Sequence, residues 1–214
     1  MSRLDEYIKR YEGLHTGKDK FKYPATGKVV DANNGQELFS GIQFLRRFPE
    51  HIKRITKEKG RALTLLDYGC GKGHMPWVPY KQYPHGLWGF LPNEIQSIYL
   101  YDPCYPVFAT PPPQGWTFDL IGCADVMEHV PEEDVDTVLK NIASFCKEDG
   151  TILFSISGNK AMKAFLDGEN LHCTIKDMDW WKKKIETNCK RNYVLVHIDD
   201  NREKQVDTLI GKRK

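Results

Sequence analysis

Four groups of residues have side chains and spacings suited to chemistry on a small ligand. The first is Asp67-Tyr68-Gly69-Cys70-Gly71-Lys72-Gly73, where an apolar run through Leu65 and Leu66 enters a turn with glycine at alternate positions. Glycine allows positive φ and lets backbone N–H groups approach a ligand where any Cβ would collide. Doubly wound α/β sheets bind nucleotide-like ligands at such a turn, at the carboxyl end of a parallel strand. The acid ahead of the turn suits a ligand with a cationic amino group. A dinucleotide site would need Gly-x-Gly-x-x-Gly, which this spacing is not. An ordinary strand-to-helix turn is the competing reading.

The second group is Asp102-Pro103-Cys104, which closes the apolar run Ile98-Tyr99-Leu100-Tyr101. An acid ending the strand after a glycine turn can accept hydrogen bonds from ribose hydroxyls, although Asp-Pro is also a common strand-end turn. The third is Asp125-Val126-Met127-Glu128-His129, following the buried run Phe118–Ala124. His129 titrates near neutrality when unperturbed and could act as a general base, or the Glu-His pair could only shape a helix start. The fourth is the polar stretch Asp167-Gly168-Glu169-Asn170-Leu171-His172-Cys173-Thr174, followed by Trp180-Trp181. It could orient a substrate hydroxyl or amine, or be a turn whose tryptophans are core.

Together, Asp67, Asp102 and Asp125 at three successive strand ends resemble the motifs of class I S-adenosylmethionine-dependent methyltransferases, over about residues 62–157. The segment after residue 157 resembles a small, mostly uncharacterised bacterial and phage-type group of them. The resemblance implies an enzyme that binds S-adenosyl-L-methionine and releases S-adenosyl-L-homocysteine. It assigns the cofactor to Asp67, Tyr68, Gly69, Cys70, Gly71, Gly73, Asp102, Pro103, Cys104 and Asp125; His129 and His172 are the candidate catalytic residues, as a base for an oxygen acceptor. The expected acceptor is a small molecule, glycan or metabolite with an oxygen or nitrogen nucleophile.

Asp125, Glu128, His129 and His172 also resemble the carboxylate–carboxylate–histidine–histidine set of small-RNA 3′-terminal 2′-O-methyltransferases, with Asp in place of their first Glu. That resemblance implies a divalent metal and is the alternative to a metal-free site. If His129 and His172 hold a divalent ion they must be neutral, and activity should then rise with pH through the histidine range. A non-methylating S-adenosylmethionine-binding protein on the same fold is a further alternative.

These residues need a sheet to position them. Ala62–Tyr68, residues 97–102, Phe118–Ala124, Thr151–Ser157 and Tyr193–Asp199 read as strands, with Gln205–Ile210 returning as a hairpin across Asp200-Asn201. Pro131 opens a helix whose core face is Val135, Val138, Leu139, Ile142 and Phe145, and Asp177–Cys189 reads as another. The alternation implies an α/β fold with a doubly wound, mostly parallel, Rossmann-like sheet and a C-terminal antiparallel hairpin. Leu4, Tyr7, Ile8, Tyr11 and Leu14 recur at helical spacing behind Ser2. Residues 15–35 read as a loop, and Gln36–Lys59 as helix interrupted at Pro49. The expected organisation is a helical cap or lid over residues 1–60 and a cofactor-binding domain over 61–214. Three consecutive prolines, Pro111–Pro113, exclude a central strand between Asp102 and Phe118. Adenine would then be covered by Cys104, Tyr105, Val107 or Trp116. Pro76, Pro79, Pro84 and Pro92 lie in the long gap before Asp102, and Pro76 and Pro79 disfavour a full helix after the glycine turn.

The 214 residues suffice for one substantial core. At 40% hydrophobic and 28% charged, the composition is that of an ordinary globular chain. A net charge of +2 gives no electrostatic case for nucleic acid or membrane. The six cysteines form no Cys-x-x-Cys pair, which suits a reducing compartment and a cytoplasmic location.

Overall fold

A computed structural model describes residues 2–32, 41–77, 86–87, 91–199 and 202–208. The chain opens with α1 (Arg3–His15). The Ser2 hydroxyl accepts from the Asp5 N–H at 3.1 Å, and the Asp5 carboxylate accepts from the Ser2 N–H at 3.0 Å. This reciprocal capping box satisfies two backbone donors at once. Tyr7, Tyr11 and Leu14 form its buried side.

The following stretch, expected as loop, contains an antiparallel pair, β1 (Lys20–Lys22) and β2 (Val29–Asp31). Phe21 explains the difference. It is fully buried against Tyr7, Tyr11 and Leu14, so one side chain anchors strands too short to show an alternating pattern. Next come α2 (Gln43–Arg47) and α3 (Pro49–Lys59). Pro49 occupies the first position of α3, where its missing N–H sacrifices no helical bond. The start of the expected Gln36–Lys59 helix, residues 36–40, lies outside the described residues.

The main sheet comprises β3 (Leu63–Tyr68), β4 (Ile95–Tyr101), β5 (Phe118–Ala124), β6 (Cys146–Ser157), β7 (Asn192–Asp199) and β8 (Arg202–Asp207). Its order is β4-β3-β5-β6-β7-β8, parallel from β4 to β7 and antiparallel between β7 and β8. Between β5 and β6 runs α4 (Val135–Ser144), and between β6 and β7 runs α5 (Met178–Asn188). Trp181 and Ile185 of α5 and Val135, Leu139 and Ile142 of α4 cover one face. Phe44, Leu45, Phe48, Ile52 and Ile55 of α2 and α3 cover the other. Burial on both faces is what makes β3, β5 and β6 read as nearly continuous apolar runs. The expected α/β architecture is therefore present.

Three local expectations change or sharpen. The hairpin pairs Asp199 with Arg202, so β8 starts at Arg202 and not at Gln205. Its Arg202, Glu203 and Lys204 are exposed, as suits an edge strand that must not recruit another, and their charge hides where the expected hairpin strand begins. The connecting Asp200-Asn201 lies outside the described residues, as does Ile210. The segment from Asp102 to Thr117 has no strand, as the prolines required. It runs over β4 instead, where the Tyr99 hydroxyl lies 3.3 Å from both the Thr110 and Pro111 carbonyls. Residues 71–77 form turns with no helix; Pro79 and Pro84 fall outside the described residues. No helix among the described residues is long and apolar enough to cross a membrane.

Candidate cofactor and acceptor site

At the carboxyl end of β3 the chain turns back over β4. The Gly69 and Cys70 N–H groups donate to the Tyr101 carbonyl at 2.7 and 3.1 Å. Gly69 has φ 79°, and a Cβ there would lie 2.3 Å from Val126 Cγ2. Gly71 has φ 56°, and its N–H donates to Asp102 Oδ2 at 2.7 Å. The other carboxylate oxygen of Asp102 accepts from the Cys104 N–H at 2.8 Å. Asp102 thus ties the glycine turn to the end of β4. An ionised carboxylate offers about four acceptor positions, so two backbone bonds leave capacity for a ligand's hydroxyls.

Beneath the turn lies Asp67, only 2% exposed. Its Oδ2 has no hydrogen-bond partner among the described residues. Burial, with the nearby Asp102 charge, pushes its carboxyl well above the usual range. A buried acceptor left open is costly, and a cationic amino group would relieve it. Cys70 and Gly73 shape the turn from behind. The Cys70 side chain is fully buried, with burial pushing its thiol up, and Gly73 packs against Phe108.

In front of the turn opens a cavity of about 930 Å³, lined by Tyr68, Gly69, Gly71, Asp102, Pro103 and Cys104 on this side. That is the size range of small-molecule and cofactor pockets. α1 roofs it with Leu4, Tyr7, Ile8, Tyr11 and His15. The roof is pinned to the segment after β6: Arg10 reaches Asp167 at 2.7 Å and Glu169 at 2.6 Å, and Tyr7 also bonds Glu169. Of the residues expected to cover adenine, Cys104 lines the cavity. Val107 and Trp116 are exposed, Trp116 packing on Tyr99. Tyr105 packs on His15 and Phe108.

The far wall begins at Asp125, at the end of β5. It has φ 55°, a left-handed conformation that costs energy for any residue with a Cβ and concentrates at functional sites. Ser155 of β6 holds it there: the Asp125 N–H donates to the Ser155 carbonyl, and Asp125 Oδ1 accepts from Ser155 Oγ, both at 2.9 Å. The single-turn helix Met127–His129 follows. Glu128 is fully buried; Oε1 accepts from the Ser157 N–H at 2.9 Å, and Oε2 has no partner among the described residues. Burial, then the Asp125 charge, pushes its carboxyl well up.

His129 and His172 meet on this wall, ring centroids 4.7 Å apart. His172 Nδ1 lies 2.5 Å from the Asn159 carbonyl, which can only accept, so Nδ1 carries the proton and Nε2 a lone pair. His129 Nδ1 lies 2.6 Å from the Tyr11 hydroxyl and 2.9 Å from the Leu171 carbonyl, to which Tyr11 itself donates at 2.6 Å. The three atoms are mutually satisfied only if Nδ1 carries the proton there too. Burial and the second imidazole push His129 down to about 3, and burial lowers His172. Both rings are therefore pushed toward the neutral form, and the His129 titration moves far to the acid side of the ordinary histidine range. One ligand atom from each of Glu128, His129 and His172 falls within a 4.8 Å group. Asp125, expected with them, is outside that group.

A family model described as a methyltransferase domain matches residues 38–195. The chain belongs to that methyltransferase family. It is an enzyme that transfers methyl groups, and its mostly parallel sheet is the class I arrangement. No curated protein and no solved structure matches the chain. The matched span holds both the glycine turn and the histidine wall of the cavity.

Two methyltransferase site features escaped the sequence reading. Tyr11 was visible only as a helix-face apolar residue; nothing local announces that its hydroxyl reaches His129. Lys160 and Lys163, which also line the cavity, sit in a stretch with no motif. Of the tryptophan pair, Trp181 is fully buried core, and half-buried Trp180 packs against it.

Proposed function

We propose that the cavity binds S-adenosylmethionine and passes its methyl group to an oxygen or nitrogen nucleophile of a small-molecule acceptor. The observation that carries this reading is Asp102 gripping the positive-φ glycine turn at the mouth of a roofed cavity. In this reading Asp102 takes the ribose hydroxyls, the Gly69–Gly71 backbone receives the amino-acid end, and Asp67 supplies the opposing charge. Asp125 and the histidine wall then face the methyl group. The sulfonium methyl is already activated, so the protein's work is to align the acceptor and exclude water. The α1 roof does the second. A neutral Nε2 on His129 or His172 can take the proton of an oxygen acceptor. Calorimetric titration with S-adenosylhomocysteine, followed by a methyl-transfer screen, tests the reading. Binding without transfer to any acceptor would favour a non-methylating protein instead.

One observation favours a metal-assisted version. Glu128 Oε2 is buried without a partner beside two imidazoles whose Nδ1 atoms are held by carbonyls. That is the arrangement in which outer partners orient ligating histidines. Glu128, His129 and His172 would hold a divalent ion, whose chemistry would be to bind an acceptor hydroxyl and lower its pKa. Mixed nitrogen and oxygen donors suit such an ion. Loss of turnover on chelation, with S-adenosylhomocysteine binding intact, would support this version; unchanged turnover would remove it.

A further inference from the structure

Several partly buried lysines in this fold are neutralised by a carboxylate. Lys59 reaches Asp149 at 2.5 Å, Lys147 reaches Asp119 at 3.0 Å, and Lys176 and Lys184 reach Glu132 and Asp136 at 2.8 Å. Lys163 has no such partner among the described residues; Lys22, Lys72 and Lys182 have none either, but of these four Lys163 is the one that lines the cavity. It is half-buried and lines the cavity, yet no carboxylate among the described residues comes within ion-pair distance. Its neighbour is the Phe21 ring, with Nζ 5.2 Å from the centroid. An aromatic face attracts a cation but does not neutralise it. Burial lowers the Lys163 ammonium from its ordinary range, with no acidic group opposing. Lys160, three residues earlier, lines the same cavity and has no carboxylate partner among the described residues either.

The segment carrying these lysines is braced from within. Asn170 Oδ1 accepts from the Ala161 and His172 N–H groups at 2.9 and 3.0 Å, and Asn170 Nδ2 donates to the Ala161 carbonyl at 2.9 Å. The Leu171 N–H donates to the Lys163 carbonyl at 3.2 Å, and Ala164 exchanges both backbone bonds with Lys22 at 2.9 Å. The lysines and His172 therefore belong to one braced unit. A desolvated cation held without a counter-charge at a cavity wall costs stability unless an anion arrives.

We propose that Lys163, with Lys160, forms an anion subsite at the acceptor side of the cavity, so that the methyl acceptor carries a carboxylate or phosphate group. This rests on the methyl-transfer reading for its meaning, but the subsite can be tested apart from it. Lysine suits a compact oxyanion, as a strongly hydrated point charge with rotatable donors. The anion would seat beside His172 and leave the rest of the acceptor to reach the methyl group.

The test is a two-dimensional amide NMR titration of the full chain, saturated with S-adenosylhomocysteine, using inorganic phosphate in one series and succinate in another. The expected result is a saturable shift of amides within residues 159–172 for at least one anion. Lys163→Met, which keeps the stem and removes the charge, should weaken that binding by about tenfold, the worth of one charge-assisted hydrogen bond. Lys163→Arg should retain it. S-adenosylhomocysteine affinity should be the same in all three proteins. A response to only one anion identifies the acceptor's group as phosphate or carboxylate. The proposal is overturned if neither anion gives a saturable shift there, or if Lys163→Met responds like the parent. Should the parent fail to bind S-adenosylhomocysteine, the cofactor reading falls, and the same titrations without it still decide the subsite.

Discussion

The imidazole rings of His129 and His172 stand nearly perpendicular, at 84°, with 4.7 Å between centroids, although they come from segments that follow different strands. His129 follows β5 and His172 follows β6. Neighbouring parallel strands end on the same rim, so two side chains distant in sequence share one wall. Each ring is held through Nδ1 by a carbonyl, which leaves its Nε2 as the acceptor.

That pairing gives the first prediction. His129→Ala and His172→Ala should each lower turnover by about 10²-fold or more, the usual contribution of a positioned base. S-adenosylhomocysteine affinity should change much less, because neither ring lies at the glycine turn. Equal losses in turnover and cofactor affinity would show that the wall is only structural. With His129 held down at about 3, the turnover profile should show no His129 limb between about pH 5 and 8.

Glu128 gives a prediction about stability. Its folded carboxyl is raised well above the unfolded range by burial and by Asp125. The protonated form therefore stabilises the fold fully below the unfolded value, about 4.3, and that contribution is lost as pH rises through the raised folded value. Glu128→Gln mimics the protonated acid and can still accept from the Ser157 N–H. Its denaturation midpoint relative to the parent should climb as pH increases from about 5 to 9. A constant difference across that range would place the Glu128 charge elsewhere.

The glycine turn should fail for a local steric reason. Gly69→Ala adds a Cβ 2.3 Å from Val126 and requires a conformation that alanine avoids; Gly71→Val burdens the residue that donates to Asp102. Both should abolish measurable S-adenosylhomocysteine binding by calorimetry while near-native circular dichroism persists. Unchanged affinity in Gly71→Val would remove this turn from the cofactor site.

Much of this was legible because chemistry and fold coincide in the strand ends. Phe118–Ala124 is legible to the residue, since a strand buried on both faces reads as a mostly apolar run, here broken only by the ion-paired Asp119 and ending at Asp125. The Ser2 cap and the Pro49 break were equally local. What stayed hidden depended on contacts distant in sequence. The start of β8, Arg202–Lys204, is charged and recognisable only by its pairing with β7. The β1–β2 hairpin depends on Phe21 reaching α1. Tyr11 gains its role only when α1 folds across the sheet to reach His129 and Leu171.

Asp102 is the residue on which the cofactor reading turns. Its carboxylate receives two backbone N–H groups, at 2.7 and 2.8 Å. An amide of the same shape can accept at only one position without opposing a donor with its own NH₂ group. Asp102→Asn should therefore lose both part of the turn and the charge-assisted bonds to ribose, each worth about 1.5–3 kcal/mol. Calorimetric S-adenosylhomocysteine affinity should fall by about tenfold or more.

The most direct measurement is a crystal structure of the parent protein grown with S-adenosylhomocysteine. The account predicts the ligand in the cavity under α1. The ribose hydroxyls should lie within hydrogen-bond distance of Asp102, the amino-acid end against Gly69–Gly71, and the sulfur toward Asp125 and the histidine wall. An empty cavity at saturating ligand, or a ribose away from Asp102, would contradict it.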